Sequence, residues 1–340
     1  MIDYGHGDDL YKYGDRVFKA NFSSNVWYQG APKKLVKYIQ QQLPHIENYP
    51  APSAEYLVKT IEKHHGISSN STIVTNGATE AFYLVANAFH SASVTICMPS
   101  FSEYEQASKA NNLQIEFIHR NEVLQHEFTT TLAFICNPNN PDGFENTVEE
   151  IVQLSTKFPN TIFIIDEAYT EFTKNAISCG SLLKSRTNII LIKSLTKLFC
   201  IPGLRLGYLL ANPTLIAKLI KHKMPWNVNT IALQAGEFLF QNYSELAPDF
   251  KTCFQHTKAL QKAIHALEGF EVIPTDTTYF LVKLSEPKAT ALKSYLVNEH
   301  QLLIRDASNF RTLDAHYIRI ASQTPEKNQL LINALQQWNP

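Results

Sequence analysis

Residues 161–169 read TIFIIDEAY. The five residues before Asp166 show no polar alternation, which is the pattern of a strand buried on both faces. Such a strand belongs in the middle of a sheet with helices packed on both sides. A carboxylate then stands where the strand leaves the core. With no metal beside it, a buried carboxylate needs a cationic partner.

The same texture extends in both directions. STIVT (71–75) precedes ATEAFYLVANAF (78–89), SVTICM (93–98) precedes FSEYEQASKANN (101–112), and LAFICN (132–137) precedes TVEEIVQLSTKF (147–158). NIILIKS (188–194) and LRLGYLLA (204–211) complete the series. Alternating β and α patterns predict an α/β fold with a mostly parallel sheet between helices. After Pro213 the texture changes. A long helical stretch is expected over 230–267, then strands YFLVKL (279–284), LLIRD (302–306) and HYIRIA (316–321), with helices at 289–300 and 325–338. That suits a smaller α+β domain. The expected division is an N-terminal arm over the active site (1–30), a large domain (45–230), and a small domain from 31–44 and 231–340.

Composition narrows the function classes. Thirty lysines and arginines face 31 acids, for a net charge of −1, and no dense basic block suggests nucleic acid as a partner. Five scattered cysteines suit reduced thiols of a cytoplasmic protein better than a disulfide framework. The polar start MIDYGHGDDLYKYGDR does not read as a signal peptide, and no apolar run has the length to span a bilayer. Twelve histidines raise a metal hypothesis, but neither His-Glu-x-x-His nor a Cys/His cluster is present, so no metal is expected.

In sheets of this kind ligands gather beyond the carboxyl ends of the strands. The first strand ends in TNGATEAF, where Gly77 permits a turn and Ala78 and Thr79 open a helix whose free N–H groups suit a phosphate. The second ends in MPSFSEY, with Tyr104 either packed in the core or stacked on a flat ligand. The third ends in CNPNNPDG, offering the Asn140 amide in a rigid polar turn. Asp166 resembles the acid of a nucleotide hydrolase, but the Gly-x-x-x-x-Gly-Lys-Ser/Thr loop of such enzymes is missing. The segment 192–208, IKSLTKLFCIPGLRLGY, delivers Ser194, Thr196, Lys197 and Arg205. Pyridoxal phosphate uses all of these groups together. Its phosphate takes the helix start, Ser194 and Arg205. Its ring lies against Tyr104, and its ring nitrogen faces Asp166. Asn140 and Tyr169 share its phenolic oxygen, and Lys197 forms a Schiff base with its aldehyde.

DEAY, thirty-one residues before the lysine of SLTK, followed by GLRLGY, resembles the class I/II aminotransferase superfamily, the fold type I enzymes of pyridoxal phosphate. The similarity runs along almost the whole chain. It implies a catalytic set of Lys197, Asp166 and Tyr169. The cofactor set it implies is Gly77, Ala78, Thr79, Tyr104, Asn140, Asp166, Tyr169, Ser194, Thr196, Lys197 and Arg205. Tyr49 in ENYPAPSA matches a tyrosine lent to the neighbouring subunit's cofactor, which implies a homodimer. His6, Asn25, Asn140, Arg305 and Arg319 match substrate contacts. Within the superfamily the resemblance is nearest to enzymes that decarboxylate L-threonine O-3-phosphate to aminopropanol phosphate. Histidinol-phosphate and other amino-acid transaminases are the alternative, and a binding protein without turnover is the remote one. Three departures fall on the substrate side. They are Asp142 in Asn-Pro-Asp-Gly, Asp8 after His6-Gly7, and Trp27-Tyr28 in place of Asn-Pro.

Overall fold

The computed structural model describes residues 9–175 and 177–339. The strands in chain order are β1 (Ala20–Asn21), β2 (Thr72–Thr75), β3 (Ser93–Met98), β4 (Gln114–His119), β5 (Leu132–Cys136), β6 (Ile162–Asp166) and β7 (Ile189–Ser194). They continue as β8 (Gly207–Ala211), β9 (Phe270–Val272), β10 (Tyr279–Leu284), β11 (Leu302–Leu303), β12 (Arg305–Asp306) and β13 (Tyr317–Ala321). Among the described residues the large sheet has the order β2-β8-β7-β6-β5-β3-β4. All its pairings are parallel except those of β8, which runs antiparallel to both β2 and β7. This is the fold type I arrangement of a large, mostly parallel sheet that the sequence predicts.

The unalternating strands are buried on both faces, as their composition requires. Ile164, Ile190 and Leu209 enter one core, which holds Phe82, Val85 and Tyr104. Phe163, Ile165, Leu191 and Leu210 enter the other, with Leu57, Phe199 and Ala235. Helix Val148–Lys157 returns the chain between β5 and β6 and begins with a capping box, Thr147 accepting from the Glu150 N–H while Glu150 bonds back to the Thr147 N–H.

The smaller sheet has the order β12-β13-β10-β9 and is antiparallel throughout. Its core gathers Leu260, Ile264, Phe280, Ile318, Ile320 and Leu331. Two details differ from the sequence reading. The helix expected over 230–267 is broken into Thr230–Gln241, Tyr243–Leu246 and Lys251–His265. Pro248 removes an N–H and holds Ala247 extended at ψ 130°, so the helix cannot continue through it. The buried side chains of Lys33–Gln42 and of Thr230–Gln241, Leu35 and Ala232 among them, also pack into the core of the large sheet rather than that of the small one. No helix among the described residues is long and apolar enough to cross a membrane.

Candidate active site

The carboxyl ends of β2, β5, β6 and β7 surround a cavity of about 340 Å³. Ala78, Thr79, Asn140, Asp166, Tyr169, Ser194, Thr196, Lys197 and Arg205 all line it, together with Asn25 and Arg319 from outside the large sheet. Residues distant in sequence thus meet at one end of one sheet.

The anion-binding end is built by close packing. Helix Gly77–Ala88 begins directly after β2, and Gly77 has φ +78°. A Cβ there would lie 2.3 Å from Arg205 Nη2, so only glycine lets the guanidinium settle over the helix start. A Cβ at Gly207 would lie 2.7 Å from the Ala78 nitrogen, which brings β8 equally close. Arg205 itself has φ +55°, and Nη1 donates to the Pro202 carbonyl at 3.2 Å. Ser194 and Thr196 share a hydroxyl–hydroxyl bond of 2.7 Å beside it. Free helix N–H groups, hydroxyls and a guanidinium together form an anion site.

The other end is built around Asp166. Its Oδ1 accepts from the Ala168 N–H at 3.0 Å and its Oδ2 from the Tyr104 hydroxyl at 2.5 Å. Burial raises this carboxyl to about 6, although the Tyr104 and Ala168 bonds and the Lys197 charge oppose the rise and the Glu167 charge adds to it. Lys197 lies in the short helix Leu195–Leu198, where its carbonyl accepts from the Trp27 N–H at 3.0 Å. Burial also pushes the Tyr169 phenol up.

Tyr104 does not line the cavity. It is fully buried and lies parallel to Phe134, with ring centroids 5.0 Å apart. This corrects the expected stacking role. Tyr104 sits within helix Glu103–Ala110 and points back under the sheet, whereas Phe101, in the loop ahead of that helix, forms the cavity wall. Sequence periodicity does not separate two aromatics three residues apart, but a loop residue right after a strand end is the better choice. Phe82 and Cys136 also line the cavity and go unnamed in the sequence reading.

A second cavity of about 220 Å³ shares Phe101, Asn140 and Arg319 with the first and adds Ser100, Ser102, Arg305, Asn309 and Arg311. Arg319 is buried and donates to Asn140 Oδ1 and to the Ser23 carbonyl, while its Nε has no hydrogen-bond partner among the described residues. Arg305 donates to Asn309 Oδ1 at 2.6 Å. Both amide atoms of Asn25 are buried without a hydrogen bond among the described residues, although the Tyr169 phenol is a close neighbour. Buried polar atoms left this way at a cavity wall mark a place where a polar ligand belongs.

Other expected residues lie elsewhere. Tyr49 is 88% exposed, with its ring 5.5 Å from that of Trp226, and lines neither cavity. His6 and Asp8 fall outside the described residues. Asp142 and Trp27 line neither cavity. Asp142 is ion-paired to Arg120, and the Trp27 ring packs 4.8 Å from Phe250 in the core. Neither of these two side chains is therefore itself part of a cavity wall.

The donor set fits pyridoxal phosphate. The glycine-cleared cradle under Arg205 takes a phosphate, Asp166 takes a protonated ring nitrogen, and Phe101 offers a flat apolar wall.

The sequence profile of the aminotransferase class I and II family matches residues 18–335. The solved L-threonine-O-3-phosphate decarboxylase of Porphyromonas gingivalis is 37% identical and superposes with a TM-score of 0.91 over 93% of this chain and 98% of its own. Threonine-phosphate decarboxylase of Salmonella typhimurium is 28% identical over 93% of this chain and 90% of its own. A histidinol-phosphate aminotransferase from a Thermoanaerobacter species is 29% identical over 90% of this chain and 89% of its own.

Proposed function

The chain belongs to the class I and II aminotransferases, a family of pyridoxal-phosphate enzymes, and from that premise we propose that it decarboxylates O-phospho-L-threonine to aminopropanol phosphate. The observation that carries the substrate reading is Arg319, which stands in the wall of both cavities. A small amino acid with an acidic group at each end matches that layout. Its amine reaches toward Lys197, one acid meets Arg319 with Asn25 nearby, and the other lies among Arg305, Ser100 and Ser102.

Bound pyridoxal phosphate supplies an aldehyde that captures amines and a ring that draws electrons from the α-carbon. The chain's own residues supply the rest. The Lys197 amine would hold the aldehyde and, when free, would move a proton at the substrate's α-carbon. Asp166 keeps a proton on the ring nitrogen. Asn140 and Tyr169 would hold the phenolic oxygen, Phe101 would lie against the ring, and Arg205, Ser194, Thr196 and the Ala78–Thr79 helix start would anchor the phosphate. Arg305 and Arg319 decide which bond at the α-carbon stands across the ring, and a carboxylate held there is the one lost.

The working unit of this reading is a cytoplasmic homodimer. Leu43, Ile46, Tyr49, Tyr56, Met224 and Trp226 are large and exposed, and a second copy would cover them. All five cysteines are free thiols, four of them buried.

The deciding experiment follows CO2 release from O-phospho-L-threonine by the protein loaded with pyridoxal phosphate, without a keto acid. Sustained release supports the decarboxylase. No release, with conversion of the cofactor to its amine form by histidinol phosphate, would replace it with the aminotransferase reading that the Thermoanaerobacter relative represents.

A further inference from the structure

The turn after β5 carries an ion pair that the chemistry above does not use. Asp142 is buried, and its Oδ2 is paired with Arg120 Nε from the segment following β4. Its Oδ1 accepts from Asn139 Nδ2 at 2.8 Å and from the Phe144 N–H at 3.1 Å. Asn139 Nδ2 also donates to the Pro99 carbonyl after β3, at 2.8 Å. The Arg120 guanidinium lies 4.5 Å from the centre of the Phe144 ring. The two residues flanking Asn140 and Pro141 are thus tied to the ends of two neighbouring strands.

The small sheet holds the same turn from the opposite side. The Tyr279 hydroxyl donates to the Asn139 carbonyl at 3.0 Å and Thr275 Oγ1 to the Gly143 carbonyl at 3.1 Å. Gly143 has φ +71°, and a Cβ there would lie 2.2 Å from Thr275 Oγ1. Asn140 sits in the middle of this lashing. Its Oδ1 is engaged by Arg319, which leaves the NH2 end of the amide as the donor toward the cavity.

We propose that the Arg120–Asp142 ion pair positions Asn140, holding the turn so that the Asn140 amide meets the cofactor's phenolic oxygen. Asp142 and Arg120 touch neither cofactor nor substrate and are positioning residues. The proposal rests on the pyridoxal-phosphate reading of the cavity. A donor on the phenolic oxygen stabilises its negative charge and loosens its hold on the proton it shares with the Lys197 nitrogen. Displacing Asn140 therefore raises the pH at which the bound cofactor loses that proton, by about one unit for one charge-assisted bond. The other titratable groups facing the cavity are Asp166, Tyr169, Cys136, Lys197, Arg205 and Arg319, and they are common to every variant compared.

The test is a pH titration of the bound cofactor's absorbance in the parent, Arg120→Gln, Arg120→Lys, Asp142→Asn and the double variant Arg120→Gln/Asp142→Asn. The expected result is a midpoint raised by about one unit in Arg120→Gln, Asp142→Asn and the double variant, with Arg120→Lys close to the parent. Parental midpoints in the Arg120→Gln and Asp142→Asn variants would overturn the proposal, as would an Arg120→Lys variant shifted as far as Arg120→Gln. The double variant buries no unpaired charge, so it decides the matter if a single variant fails to fold. A parent that binds no cofactor would overturn the function reading itself, a result distinct from unshifted midpoints.

Discussion

The Tyr104 hydroxyl donates to Asp166 Oδ2 at 2.5 Å from behind the cavity, so the acid is held on the side away from its ligand. Even with this bond, burial lifts the Asp166 carboxyl to about 6 in the cofactor-free chain. The folded chain therefore binds this proton more tightly than the unfolded chain, whose carboxylates titrate near ~3.9. Its contribution to stability is fully present below that range and is lost as pH rises through about 6. The loss is on the order of 3 kcal/mol, at about 1.4 kcal/mol for each pH unit separating the folded and unfolded titrations. Asp166→Asn stays neutral throughout. In thermal melts of cofactor-free protein, Asp166→Asn should match the parent near pH 4 and exceed it at pH 8. A difference that does not change with pH would contradict the account.

Phe101, rather than Tyr104, supplies the aromatic wall. Phe101→Ala should weaken pyridoxal phosphate binding about tenfold, for a stacked face worth ~1–1.5 kcal/mol. Phe101→Tyr should retain it. Tyr104→Phe keeps the stacked pair with Phe134 and should leave affinity close to the parent's while lowering kcat through Asp166. Equilibrium titration of each variant separates the two aromatics. Equal losses in Phe101→Ala and Tyr104→Phe would return the role to the buried ring.

The contrast between these two aromatics shows how far the sequence can be read. Lys197, Asp166, Asn140 and Arg205 are legible because each lies next to a strand too apolar to be anything but central, and ligands collect at such strand ends. The direction of a side chain within the next turn of helix depends on what packs beneath it. For Tyr104 that is Phe134, on a strand thirty residues away in sequence. Asp142 misleads for a similar reason. Its partner Arg120 lies 22 residues upstream, and no local pattern joins them. Trp27 reads as part of the arm over the substrate, yet its ring is core and only its N–H reaches the lysine, through the Lys197 carbonyl. The break at Pro248 is legible from the proline alone, although the long helical pattern around it hides the signal.

Gly77 and Arg205 should behave as one phosphate anchor. Gly77→Ala places a methyl group 2.3 Å from Arg205 Nη2 at φ +78° and so must displace the guanidinium. Binding of pyridoxal phosphate should weaken at least tenfold, a change of about 1.4 kcal/mol. Pyridoxal lacks the phosphate and should bind the parent and the variant with similar affinity. Parallel titrations with the two ligands check this, and equal weakening of both would show that Arg205 does not hold the phosphate.

Four residues before Lys197, near the end of β7, lies a buried lysine, Lys193. Lys193 Nζ is 3.0 Å from Glu167, whose carboxylate also accepts from Ser178 Oγ and the Cys179 N–H, each at 2.6 Å. Burial alone would lower the pKa of this ammonium, but Glu167 and Glu171 outweigh it and raise it, so Lys193 stays charged. Glu167 follows Asp166, and Lys193 precedes Ser194. The ion pair therefore clamps β6 to β7 beneath the two residues that face the ligand. Lys193→Met leaves Glu167 buried without its cation and should cost about 3–5 kcal/mol. Adding Glu167→Gln removes the stranded charge and should recover most of that loss. Urea unfolding of the two variants measures the stability change, and cofactor titration should show affinity falling and returning with it. Recovered stability with cofactor affinity still low would mean that the charge pair itself, rather than a well-packed contact, sets the spacing of Asp166 and Ser194.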